Sequence, residues 1–240
     1  MDFMITYYVL GIILIPGIIF ALVAQIKVQT TYSSMSKVTA KCGKTASQIA
    51  QEVLKKHNLG HIKIERISGH LTDNFNPKTL VVSLSEKVYD GTDIASIGIA
   101  LHEVGHAIQH AEDYGPAKLR LALVPILNFS SSFLWPLIFI GFIFNFFGGF
   151  DNIVGIVFIW LGVAFFALSL LFTLITLPTE LDASKRAKQE LATGYMDEEE
   201  LSGAKKVLTS AAMTYVASLV MSILTLARFL LTIAMMQKRD

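Results

Sequence analysis

Residues 102–106, His-Glu-Val-Gly-His, place two histidines four positions apart with a glutamate beside the first. Side chains four apart share one face of a helix, so both imidazoles can bind one Zn²⁺ ion through ring nitrogens. The glutamate then lies next to the ion, where a carboxylate can act as general base on an attacking water. The pattern predicts zinc-dependent hydrolysis, with His102 and His106 as metal ligands and Glu103 as the catalytic base. The alternative interpretation is a polar stretch of an amphipathic helix.

A catalytic zinc ion takes three protein ligands and leaves one position for water, so a third ligand must come from elsewhere. His110 continues the four-residue spacing, but on an unbroken helix its backbone lies about 12 Å from that of His102, too far to share an ion. The pattern H-E-x-x-H-x-x-G-x-x-H is also absent, because Gln109 occupies the glycine position. Glu180 is the preferred third ligand, since two histidines with a downstream glutamate are an established set. Asp182 is its rival or, alternatively, an acceptor that orients a ligand imidazole.

The composition is typical of a membrane protein. Apolar residues make up 53% of the chain and charged residues 16%, whereas soluble proteins have about 25% charged residues. The apolar residues are concentrated in runs long enough to cross a bilayer: 4–24, two spans within 121–177 separated by a loop at 145–152, and 207–236. The first run is interpreted as a retained anchor, because no basic residue precedes it and no A-x-A site follows. The net charge of +1 and the absence of a basic face exclude a nucleic-acid partner.

The residues between the first two apolar runs have the pattern of a folded α+β domain. A helical period predicts a helix over 45–57, and alternating or β-branched residues predict strands at 62–65 and 79–84. Residues 73–78 have turn chemistry. Asp90-Gly91-Thr92 is expected to supply a turn and an N-cap for a helix from about 93 to at least 110, which carries the histidine pair.

The distribution of lysine and arginine residues predicts which segments lie on the cytoplasmic side of the membrane. Twelve of the twenty lie in 27–120 and five in 179–206, while the N-terminal tail and the hairpin loop have none. The positive-inside rule places both polar segments in the cytoplasm, although Lys238 and Arg239 run against it. The predicted fold is an α-helical membrane protein with about four transmembrane helices and a cytoplasmic α+β zincin-like metallopeptidase domain. Its segments are a transmembrane anchor (1–26), the zincin-like domain (27–118), a transmembrane hairpin (119–178), a cytoplasmic segment with the third zinc ligand (179–206), and a transmembrane helix with the C-terminal tail (207–240).

Four stretches of the chain resemble the YugP-like membrane zinc metallopeptidases of bacteria: L-T-D-N-F-N-P-K-T-L-V-V-S-L-S-E-K-V-Y-D-G, I-A-L-H-E-V-G-H-A-I-Q-H, P-T-E-L-D-A-S-K-R-A and A-A-M-T-Y-V-A. The resemblance covers about residues 28–230 and implies a multi-pass protein of the bacterial cell membrane with a zinc peptidase site. The chain is more distantly similar to the HtpX and Ste24 type membrane proteases. In this resemblance Glu180 stands at the position of the glutamate that binds the metal in those proteases. Those proteins carry an aspartate four residues later, where this chain has Ser184.

The predicted function is peptide-bond hydrolysis at the cytoplasmic membrane face by a gluzincin-like enzyme with one Zn²⁺ ion, acting on a protein or peptide. Tyr215 is a candidate hydrogen-bond donor to the developing oxyanion or, alternatively, an interfacial anchor. An edge strand at 79–84 would hold an extended substrate by β-augmentation; a buried core strand is the other interpretation. The remaining alternatives are a non-catalytic zinc-binding adaptor or scaffold, an intramembrane-cleaving site-2-type protease and a small-solute transporter. The sequence predicts no particular oligomer.

Overall fold

The structure is a computed structural model that describes residues 10–148 and 152–237. After a 3₁₀ turn at Ile12–Leu14, the elements are α1 (Ile15–Met35), α2 (Ala46–Lys56), β1 (Lys63–Ile67), β2 (Asn74–Asn76), β3 (Val81–Ser85), α3 (Glu86–Tyr89), α4 (Ile94–Ala111), α5 (Gly115–Gly148), α6 (Ile153–Ala192) and α7 (Glu198–Gln237). The start of the predicted anchor (4–9), part of the hairpin loop (149–151) and the C-terminal residues 238–240 lie outside this description.

Four helices are long and apolar enough to cross a membrane. Among the described residues these candidate spans are Ile12–Met35, Gly115–Asn145, Ile153–Ala192 and Glu198–Met235. The number agrees with the four apolar runs of the sequence. The chain forms two compact units, one made of Met1–Val23, Leu119–Thr176 and Tyr215–Asp240, the other of Ala24–Lys118 and Leu177–Thr214. The first is a helical unit; the second, which we call the mixed unit, contains the sheet and the histidine pair.

Within the helical unit, α5 and α6 approach closely at glycines. A Cβ atom on Gly141 would lie 2.9 Å from the backbone oxygen of Gly155, closer than a side chain tolerates. Membrane helices commonly pack through such small residues, because dispersion contacts replace the hydrophobic driving force that lipid removes.

The mixed unit has a hydrophobic core between α2, β3, α4 and the end of α6. The capping box at Thr45 and Gln48 starts α2: the Thr45 hydroxyl accepts from the Gln48 amide, and the Gln48 side chain accepts from the Thr45 amide. The core contains Ile49, Val53 and Leu54 of α2, Val82 and Leu84 of β3, Ile97, Leu101 and Val104 of α4, and Ala187 and Leu191 of α6. The predicted helix at 45–57 and the predicted strands are confirmed.

The sheet has three strands in the order β1-β3-β2. β3 pairs in parallel with β1, aligning Lys63 with Val81, and antiparallel with β2, aligning Asn76 with Val81. Of the two interpretations of this strand, the edge strand is wrong and the core strand is confirmed, because β3 has a neighbour on each side. β2 was missed because the sequence 73–78 is rich in turn-forming residues.

The polar residues at 179–192 and 198–206 belong to the same helices as the neighbouring apolar runs and do not form separate helices. α6 runs through Pro178 without a break, and α7 begins at Glu198 and continues past the polar stretch into its apolar run. A proline removes one backbone hydrogen bond, which a long helix packed on its neighbours tolerates. Glu180 is therefore carried on the same helix as the apolar span that precedes it.

Candidate metal centre

Helix α4 positions the histidine pair. Its N-cap is Asp93, whose carboxylate accepts from the Ser96 amide at 2.9 Å and from the Ser96 hydroxyl at 2.7 Å. The predicted N-cap position, Thr92, is therefore one residue too early. Apart from its last turn, most of α4 is buried, so the helix has little freedom to rotate and both histidines are presented in a fixed direction.

Three potential ligand atoms meet between α4 and α6. Nε2 of His102 lies 3.1 Å and Nε2 of His106 lies 3.5 Å from the same carboxylate oxygen, Oε2 of Glu180. All three donor atoms fall within 4.8 Å of one another. The side chain of Glu180 is 3% exposed, whereas those of His102 and His106 are 17% and 15% exposed. The cluster is thus closed on the glutamate side and reachable on the histidine side.

These distances suit a zinc ion. Ligand atoms about 2.0–2.1 Å from a tetrahedral zinc lie about 3.3–3.4 Å apart, which falls between the two imidazole–carboxylate distances. Two neutral imidazole nitrogens and one carboxylate also match zinc chemistry better than that of Mg²⁺ or Ca²⁺, which take mainly oxygen ligands. The residues present therefore fit the metal that the sequence predicted.

Gly105 allows the two helices to meet at the ligands. A Cβ atom at this position would lie 2.6 Å from the carbonyl oxygen of Ala183 and 3.1 Å from its Cα. Ala183 lies three residues after Glu180, less than one helical turn away. The glycine inside the motif thus has a packing reason: it brings the backbone of α6 close enough for Glu180 to reach both imidazoles.

Glu103 lies on the buried side of α4, next to the ligands. Burial raises the pKa of its carboxyl, and the neighbouring His102 and His106 only partly offset this effect. A carboxylate with a raised pKa is a stronger base, as proton transfer from water near neutral pH requires.

The pKa of His106 is raised above its usual value of 6.5. Burial opposes the charged imidazolium, but the hydrogen bond to Glu180 and the negative charges of Glu103 and Glu180 outweigh it.

The other ring nitrogens of the two histidines are also engaged. Nδ1 of His102 lies 3.1 Å from the Ser184 hydroxyl, and Nδ1 of His106 lies 3.0 Å from Oε1 of Gln109. Only the Nε2 atoms therefore face Glu180. The sequence drew attention to Ser184 only as the place of a missing aspartate. It gave Gln109 no role, although three residues past a ligand on a helix is a position on the same face.

The remaining predicted site residues lie elsewhere. Asp182 is not a member of the cluster; it accepts hydrogen bonds from Gln109 and Arg186, each at or below 2.8 Å. His110 is exposed, with its ring 5.9 Å from that of Phe75. Tyr215 belongs to the helical unit, so its role as an oxyanion donor stays a prediction.

The family described as "Putative neutral zinc metallopeptidase" matches residues 10–234. The chain belongs to this family. It is also 41% identical over 209 residues to a Bacillus subtilis (strain 168) protein named "Putative membrane protease YugP", an alignment that covers 87% of this chain and 89% of that protein. No solved structure matches the chain. The resemblance found in the sequence is confirmed. Membership of a zinc peptidase family implies zinc, and His102, His106 and Glu180 form a possible site for it.

Proposed function

We propose that the protein is a membrane-embedded zinc metalloprotease that hydrolyses peptide bonds at the cytoplasmic face of a bacterial cell membrane. The observation that carries this proposal is the convergence of both motif histidines on one oxygen of Glu180 from a separate helix, at 3.1 and 3.5 Å. One zinc ion would be held by His102, His106 and Glu180. When bound, it would supply Lewis acidity and make water at the site more acidic.

The residues of the chain carry the proton transfers. The Glu103 carboxylate takes a proton from the attacking water and returns it to the nitrogen of the leaving amine as the peptide bond breaks. The partly exposed edge of the two histidines is the side from which a peptide enters, because Glu180 closes the other. β2, one of the two outer strands of the sheet, is proposed in place of β3 to bind an extended substrate along its edge.

The site belongs to the domain predicted from residues 27–118 together with 179–206, and it faces the cytoplasm because these segments carry most of the lysines and arginines. An intramembrane-cleaving protease is the less favoured alternative, since α4, which carries both histidines, is not among the candidate spans of the described residues. A non-catalytic zinc-binding scaffold would have no use for the buried Glu103 beside the ligands.

The test uses the full-length protein purified in detergent. Wild type and Glu103→Gln are compared for bound zinc and for cleavage of an unfolded protein substrate. We expect one equivalent of zinc in both proteins and a loss of cleavage of at least 100-fold in the variant, in line with the usual contribution of a general base. Glu65→Gln, which changes an exposed glutamate of β1, is the matched control and should cleave normally. Equal cleavage by Glu103→Gln and wild type would remove Glu103 from the mechanism.

A further inference from the structure

Gln109 is a buried polar side chain that the proposed mechanism does not use. It is 1% exposed in the middle of the mixed unit, and each of its amide atoms has a partner. A buried amide of this kind requires partners for its polar atoms, because a buried donor or acceptor without a hydrogen bond destabilises the fold.

The surroundings allow one orientation of this amide. Its Nε2 atom donates at 2.8 Å to the backbone oxygen of Thr179 and at 2.8 Å to Oδ2 of Asp182. A carbonyl oxygen and an ionised carboxylate only accept hydrogen bonds, so the NH₂ end must face them. Oε1 of Gln109 is thereby turned toward His106, 3.0 Å from Nδ1.

This orientation fixes the protonation of one ring nitrogen. Since the amide oxygen only accepts, Nδ1 of His106 must carry the hydrogen and donate it. In the neutral ring Nε2 is then the unprotonated nitrogen, and Nε2 is the atom that faces Glu180. His106 is thus held in the tautomer that a metal ligand needs.

The amide is itself anchored by charge. Oδ2 of Asp182 accepts from Nε of Arg186 at 2.7 Å, and Nη1 of Arg186 donates to Glu112 at 2.7 Å, where the chain of contacts reaches the surface. Arg186 compensates the carboxylate of Asp182, so Asp182 stays an acceptor without adding negative charge next to the ligands. The partner of His102 is different: the Ser184 hydroxyl can donate or accept and therefore fixes no tautomer.

We infer that Gln109 is a positioning residue that orients His106 and sets its tautomer, and that Asp182 and Arg186 act on the metal centre only through this amide. The inference rests on the proposed zinc site but not on proteolysis, because its test measures metal binding.

The experiment measures the zinc dissociation constant by competition with a chromogenic chelator, on full-length variants in detergent. Gln109→Leu removes the acceptor, and we expect zinc affinity to fall 10- to 100-fold, as is usual when the partner of a ligand histidine is lost. Gln109→Glu should also weaken zinc binding, because the new carboxylate meets two acceptors. Adding Asp182→Asn reverses one of these contacts, since an amide at 182 can donate to a carboxylate at 109 that still accepts from His106.

Recovery of at least part of the affinity in the double variant distinguishes this role from general packing. Glu112→Gln is the matched control, because Glu112 is 54% exposed and lies at the far end of the chain of contacts; the zinc affinity of this variant should equal that of wild type.

Wild-type zinc affinity in Gln109→Leu, or a double variant that binds zinc no better than Gln109→Glu alone, would overturn the inference. If Gln109→Leu does not fold, the comparison of Gln109→Glu with the double variant decides alone. A wild-type protein that binds zinc but cleaves nothing would refute the proposed function and leave this inference standing.

Discussion

Replacing Gly105 by alanine tests whether the meeting of α4 and α6 builds the metal centre. The new Cβ would lie 2.6 Å from the carbonyl oxygen of Ala183, whereas ordinary contact begins at about 3.4 Å. The helices must therefore separate by about 0.8 Å at this point. Overpacking of this kind costs about 1–3 kcal/mol, offset by up to about 1 kcal/mol of improved helix propensity.

The separation is passed directly to the ligands, because Ala183 and Glu180 lie within one turn of α6. Metal sites tolerate deviations of about 0.2 Å in ligand distance, so a shift of about 0.8 Å exceeds what the coordination can absorb. We expect Gly105→Ala to bind zinc at least 10-fold more weakly than wild type, measured by chelator competition in detergent, and to unfold at lower temperature when metal-free.

Gly98 offers a matched control on the same helix, seven residues earlier. A Cβ atom there would lie 3.9 Å from Cβ of Ala204, an ordinary van der Waals contact. Gly98→Ala should therefore bind zinc normally and be as stable as wild type or more stable by up to about 1 kcal/mol. If Gly105→Ala and Gly98→Ala bind zinc equally well, close backbone approach is not what delivers Glu180 to the histidines.

Three further outcomes are expected. Glu180→Ala should lose bound zinc while Asp182→Asn keeps a full equivalent, as measured by elemental analysis; the reverse result would make Asp182 the ligand. Asp93→Ala removes the N-cap of α4 and should lower the free energy of unfolding by about 0.5–2 kcal/mol in chemical denaturation; an unchanged midpoint would show that the cap contributes nothing. Because the pKa of His106 is raised above 6.5 and zinc must displace its proton, zinc affinity should rise with pH through and above 6.5, and a flat profile from about pH 6 to 8 would contradict this shift. In the metal-free protein the same histidine stabilises the fold below its unfolded pKa, and this contribution is lost as pH rises through the folded pKa.

The members of the candidate metal cluster could be predicted from the sequence because zinc chemistry restricts the residue types and spacing strongly. His102 and His106 satisfy a helical spacing, and Glu180 stands where the chain leaves an apolar run on the same predicted side. The sequence could not choose between Glu180 and Asp182 from chemistry alone, since both are carboxylates two residues apart. Which of the two carboxylates reaches the histidines depends on the direction in which each side chain leaves α6. That direction follows from how α6 packs on α4.

Other features depended on tertiary contacts that no local pattern contains. The role of Gln109 arises from Thr179 and Asp182, which lie about seventy residues away in the chain. β2 is only three residues long and exists because β3 offers it an edge. The continuity of α6 through Pro178 depends on packing that outweighs the proline's local preference. The four candidate membrane-spanning helices, by contrast, can be predicted from the sequence, because the length of an apolar run is a property of the sequence itself.

The continuity of α6 also sets an order of events during synthesis. Glu180 follows His102 by 78 residues, a delay of about 4–16 s for a chain made at about 5–20 residues per second. During that interval the nascent histidine pair lacks the carboxylate that completes the candidate cluster. Helix α6, which carries Glu180, begins with an apolar segment and is a candidate membrane span. All three members of the candidate cluster are therefore present only after the apolar part of α6 has been made.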